Sequence, residues 1–114
     1  MKAKDRELWF AVRSLVRRYA VLFGLELRKV KPLKKKHGKK MYGYCTEKGT
    51  VAIGIRAPGG KRYCAYRIME TIAHELAHVK HWNHKPEWFA LYGQILARMG
   101  EDKVLYKRLK KLCS

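Results

Sequence analysis

His74-Glu-Leu-Ala-His-Val-Lys-His-Trp-Asn-His-Lys-Pro-Glu-Trp88 carries the densest chemistry in this chain. Within it, His74, Glu75 and His78 form the pattern H-E-x-x-H. Residues four apart on a helix lie one turn from each other on the same face, so His74 and His78 can point two imidazoles at one metal ion. Glu75 sits beside the first of them, where a carboxylate reaches a water at the metal without being a ligand. The pattern needs a helix, and Met69, Ile72, Leu76 and Val79 recur at helical spacing as an apolar stripe. The two histidines lie beside that stripe.

A third ligand has several candidates. His81 could share the helix face, but three ligands from one straight helix rarely close a tetrahedron because the third drifts along the axis. A chain that leaves the helix and turns back does better. Asn83 suits such a turn because Asn tolerates the left-handed conformation. Pro86 then fits the first turn of a new helix. His84 lies in that connection and is the preferred third ligand, with His81 read as a supporting or solvent-facing group. Glu87 is an acidic rival whose ordinary role would be to favour a helix N-terminus. Glu101 and Asp102 are more distant carboxylates, read first as a polar helix start after Gly100.

H-E-L-A-H followed by a short spacer and N-H-K-P-E-W resembles the small SprT-like and YgjP-like zinc metallopeptidases. These pair H-E-x-x-H with a third His that opens a downstream segment. The resemblance implies that His74, His78 and His84 hold zinc and that Glu75 is the catalytic acid/base. It also implies a zincin-like fold, and protein substrates bound or crosslinked to DNA. The short spacer is closer to the YgjP-like form. Lys85 stands where many SprT-like members have Gly, and His81 occupies a place that is Gly in metzincins.

The chain has 114 residues, which suits a single domain spanning 1–114 with one core. Its 27 Lys and Arg against 9 Asp and Glu leave a formal charge of +18. That excess favours polyanion partners, nucleic acid first and anionic membrane surface second, with solubility or heat adaptation as plainer explanations. Cys45, Cys64 and Cys113 are odd in number and form no C-x-x-C pair, which excludes a disulfide framework and a cysteine zinc site. A reducing, cytoplasmic setting follows. No secretory signal or transmembrane segment is visible.

The remaining elements read as α+β. Leu8, Val12, Leu15, Val16, Tyr19, Leu22 and Phe23 give a helix over 5–23 one face, and Gly24 can close it. Leu25 to Val30 alternates as a short strand that Pro32 stops or places at an edge. Lys34, Lys35, Lys36, Lys39 and Lys40 form a charged run around Gly38, a solvated turn that could grip phosphates. Residues 41–46 and 50–56 read as a hairpin, with Gly43 and Gly54 leaving room for a close backbone. A free edge there would take an extended peptide. Helices are placed at about 65–82 and 86–99, the second with Trp88, Leu91, Tyr92, Ile95 and Met99 on its inner face and Trp88 read as core. A last helix after Gly100 packs back through Val104, Leu105, Leu109 and Leu112.

Three neutral imidazoles leave one coordination position open, as in catalytic rather than structural zinc sites. Glu75 would take a proton from the attacking water and deliver it to the leaving amine of a protein or peptide substrate. Tyr63, Tyr66 and Tyr92 are available as a second electrophile, and spacing selects none of them. Two other readings stay open: a nucleic-acid-binding module with a structural zinc, and a hydrolase of small amides or cell-wall peptides.

Overall fold

The computed structural model describes residues 1–34 and 41–114. Lys35, Lys36, Lys39 and Lys40 of the charged run lie outside the described residues; Lys34 is exposed. The architecture is α+β, as the sequence indicates. Helix α1 (Ala3–Leu22) precedes strands β1 (Lys29–Pro32), β2 (Gly43–Cys45) and β3 (Thr50–Ile53). Helices α2 (Ala65–Lys80), α3 (Pro86–Glu101) and α4 (Lys103–Cys113) follow. None of the described helices is long and apolar enough to cross a membrane.

The sheet order is β1-β3-β2. The hairpin is present, with Tyr44 opposite Ala52 in antiparallel register. Its turn closes through Gly49, whose φ of 86° is open to glycine at little cost. Strand β1 lies parallel to β3, Val30 opposite Val51. It is shifted toward the C-terminus of the expected segment and contains Pro32, which an edge strand tolerates. Leu25 instead helps to close α1, its N–H donating to Ala20 O at 2.8 Å after Gly24 takes φ 65°, and the Arg28 N–H donates to Gly49 O at 3.0 Å. Central β3 is buried on both faces, since Val51, Ala52 and Ile53 are all inaccessible.

Helix α2 is the hub, packing on β2, β3, α1, α3 and α4. Its apolar stripe is sunk in the core: Ile68, Met69, Ile72 and Leu76 have 2% exposure or less. Helix α1 presents Leu8, Val12, Leu15, Val16 and Tyr19 to the same core. Leu22 departs from expectation and is half exposed, because it sits at the last turn. In α4, Leu109 is buried but Val104 faces solvent. Gly100 does not end α3. The break comes at Asp102, whose carboxylate accepts the Leu105 N–H at 3.0 Å and so caps α4.

One buried charge ties the N-terminal helix to the segment before α2. Asp5 accepts from Arg56 Nε at 2.7 Å and from Arg62 Nε at 2.9 Å. The hydrogen bond from Arg56 leads in holding its carboxyl down at about 2; burial opposes, and the Arg62 bond adds to the lowering. A depressed acid contributes stability above its unfolded pKa of 3.8 and loses it as pH falls through about 2. Thermal melts of the wild type are therefore expected to fall between pH 4 and pH 2, within the window set by those two values. Asp5→Asn should melt lower at neutral pH and lose that part of the acid dependence. An unchanged acid slope in the variant would remove Asp5 from the account.

Candidate metal centre and cleft

The polar side of α2 faces a cleft. Arg67, Glu70, Thr71, His74, Glu75 and His78 recur at helical spacing as a second stripe beside the apolar one. The helix ends when the His81 N–H bonds Ala77 O, and His81 takes an extended conformation at φ −125°. No non-glycine among the described residues has positive φ, so Asn83 is not in the left-handed region. The chain reverses instead through an extended connection, with Lys85 also extended and Pro86 opening α3. This brings His84 back over the end of α2.

The structure brings His74, His78 and His84 together. His78 Nε2 lies 3.2 Å from His74 Nε2 and 3.0 Å from His84 Nε2. All three nitrogens fall within 4.8 Å of one another. His78 Nδ1 lies 3.1 Å from the His81 carbonyl, to which it donates. The Nε2 lone pair of His78 is thereby left free to bind. Burial, then the neighbouring His78 and His84, hold the His74 imidazole down at about 4, and burial also lowers His78. A tetrahedral ion at about 2.05 Å from each nitrogen would space them by roughly 3.3 Å, close to the separations of His78 from His74 and from His84. The donor set therefore fits a first-row transition metal ion.

His81 contributes its carbonyl, and Glu87 is exposed in the first turn of α3. Asp102 caps α4 and pairs with Arg18 at 3.7 Å. Neither Glu87, Glu101 nor Asp102 joins the three-histidine group.

Trp88 is 3% exposed and is core. It packs against all three histidines at ring-centroid distances of 4.7, 5.2 and 4.5 Å for His74, His78 and His84. Behind it, Tyr92 stacks almost parallel at 5.1 Å. One indole thus sets the positions of three rings that come from two segments.

Glu75 is buried at 7% exposure, and that burial pushes its carboxyl up to about 7. It lies at the floor of a cleft of about 320 Å³, shared with His74, Tyr42, Gly43, Arg67 and Tyr92. Strand β2 forms one wall because Gly43 lets it approach α2. A Cβ at Gly43 would stand 2.6 Å from Ala52 O, 2.8 Å from Thr71 Cγ2 and 3.4 Å from Glu75 Cγ. Of the three tyrosines left open above, Tyr92 lines the cleft and its hydroxyl donates to Glu70 Oε2 at 3.5 Å. Tyr63 packs on Tyr42, and Tyr66 is half exposed. Arg67, Glu70 and Thr71 were not singled out from sequence, although continuing the polar stripe back from His74 finds them. Tyr42 carries no such local signal.

Trp88→Ala should lower stability by about 3 kcal/mol or more. It should also weaken metal binding about ten- to a hundredfold, measured by competition with a chromophoric chelator. Unchanged metal affinity would show that the rings hold their places without the indole.

No curated protein and no solved structure matches the chain. A family model described as YgjP-like, metallopeptidase domain matches residues 3–110, nearly the whole chain. With the fold and the histidine cluster described above, this match places the chain in the YgjP-like metallopeptidase family.

Proposed function

We propose that this chain is a zinc-dependent peptidase in which His74, His78 and His84 hold the metal and Glu75 is the general acid/base. The observation that carries the reading is the convergence of three imidazoles, one of which, His74, lines the same cleft as the buried carboxylate of Glu75. Three neutral imidazoles suit zinc and leave a position open, where zinc would polarise a carbonyl and make water acidic. Glu75 takes the proton of the attacking water and returns it to the leaving amine. Burial favours the protonated form of its carboxyl, which suits the second of these transfers. The His81 carbonyl and Trp88 hold His78 in one orientation throughout.

The substrate enters as an extended strand. Among the described residues β2 is an edge of the sheet, and its Gly43 lies against Glu75. A peptide adding there gains main-chain hydrogen bonds while its side chains alternate between cleft and solvent. The formal charge of +18 supports a substrate on or near nucleic acid, such as a protein bound or crosslinked to DNA in the cytoplasm. Lys34 and the lysines at 35, 36, 39 and 40 belong to that reading as phosphate contacts.

Four measurements test it. Purified protein should carry about one zinc by elemental analysis, and His84→Ala should lose it. Glu75→Gln should keep the metal and lose proteolysis by about two to four orders of magnitude; equal activity would end the mechanism. Chelation should leave a folded, inactive chain by circular dichroism, because the main hydrophobic cluster of α1, the sheet and the later helices contains none of the histidines. Unfolding on chelation would favour a structural zinc. For the nucleic-acid half, DNA affinity should fall steeply between low and moderate salt, and a flat response would remove it.

A further inference from the structure

We propose that Arg67 forms a subsite for a carboxylate of the peptide substrate, about two or three residues from the bond that is cut. The inference rests on the peptidase reading of the same cleft and adds its substrate class.

Arg67 is the one cationic side chain among the described residues that line the cleft with His74 and Glu75. Its guanidinium lies over the Tyr42 ring, Cζ 4.5 Å from the centroid. Tyr42 is itself propped against Tyr63 at 5.0 Å, with the rings tilted by 60°. The guanidinium is therefore seated over an aromatic platform, which lowers the ordering cost of binding. Its nearest carboxylate among the described residues is Glu70, at 3.7 Å from one terminal nitrogen. That distance screens charge but exceeds hydrogen-bond length. Glu70 also accepts from the Tyr92 hydroxyl, which draws it toward the opposite wall. The guanidinium keeps its fork of N–H donors for an incoming group, and its side chain is 44% exposed.

A planar fork of donors matches a carboxylate bidentately. Position follows from helix geometry. Arg67 precedes His74 by seven residues on α2, or about 10 Å at 1.5 Å per residue. An extended peptide covers about 3.3 Å per residue, so the carboxylate lies about three residues from the scissile bond, or two after the reach of the arginine side chain. The carboxylate can come from an Asp or Glu side chain or from a free C-terminus.

The test starts from zinc-loaded wild-type protein and a denatured protein digest mapped by mass spectrometry. Cleavage sites should be enriched in Asp or Glu at one fixed position two or three residues from the cut. Matched peptides differing by Glu or Gln there should differ about ten- to a hundredfold in kcat/KM, chiefly through KM. Amidating the C-terminus separates the two sources: a preference that survives belongs to the side chain, and one that vanishes belongs to the terminal carboxylate. Arg67→Met should bring the Glu/Gln ratio toward one, and Arg67→Lys should retain part of it. A readout without turnover uses Glu75→Gln protein and calorimetry. The Glu peptide should bind more tightly than the Gln peptide, and adding Arg67→Met should erase the difference. Cleavage with no acidic preference would overturn the subsite and leave the peptidase reading standing. Arg67-dependent binding of acidic peptides by a chain that cleaves none would do the reverse.

Discussion

Helix α2 must bury one apolar stripe completely while turning the adjacent polar stripe toward a cleft, and the other elements are arranged around that demand. Ile68, Met69, Ile72 and Leu76 are enclosed by the sheet and by α1, α3 and α4. Fully burying a side chain of this size contributes roughly 1.5–3 kcal/mol, so the stripe fixes both the axial position and the rotation of the helix. The polar stripe from Arg67 to His78 inherits that fixed rotation. Burial of Glu75 opposes ionisation of its carboxyl, an unfavourable placement that the apolar stripe is strong enough to impose.

Two close approaches then complete the site from opposite sides. Strand β2 comes in over Thr71 and Glu75 because Gly43 has no Cβ to clash with them. Helix α3 returns with Trp88, whose ring touches His74, His78 and His84 together. The connection between α2 and α3 is only residues 81–85, and it runs extended at both ends. A connection this short has few ways to bridge two packed helices, so His84 is placed by the docking of α3 more than by its own backbone preference.

What was legible in the sequence divides along the same line. Periodic features were visible because they are local: the apolar stripes of α1 and α2, Pro86 at the start of α3, and the hairpin around Gly49. Local rules failed where a rival contact won. Gly100 carries a helix-ending signal, but the capping carboxylate of Asp102 sets the break. Asn83 suits a left-handed turn, yet the reversal uses extended residues. The parallel pairing of β1 with β3 joins strands separated by a whole hairpin arm, and no local pattern encodes it. For the site, the three histidines and Glu75 stood out by residue type. Arg67 and Glu70 were hidden by being ordinary surface residues until the stripe is followed upstream. Tyr42 enters only through the way β2 meets α2.

Charge is distributed in a way that separates attraction from chemistry. The chain as a whole is strongly basic, but the described lining of the cleft has Glu70 and Glu75 against one guanidinium. The surplus lies on outward faces, with Arg13 and Arg17 exposed on α1 and Lys103, Lys107 and Lys110 exposed on α4. Exposed cations act over about a Debye length, roughly 8 Å at physiological salt, so the polyanion of the proposed function would be drawn to those faces more than into the cleft. Within the cleft the dielectric is lower, and single groups outweigh the distant field. On the proposed function, an extended peptide along β2 would meet Arg67, Glu75 and His74 while a polyanion held the basic surface, because the two kinds of contact use different parts of the molecule.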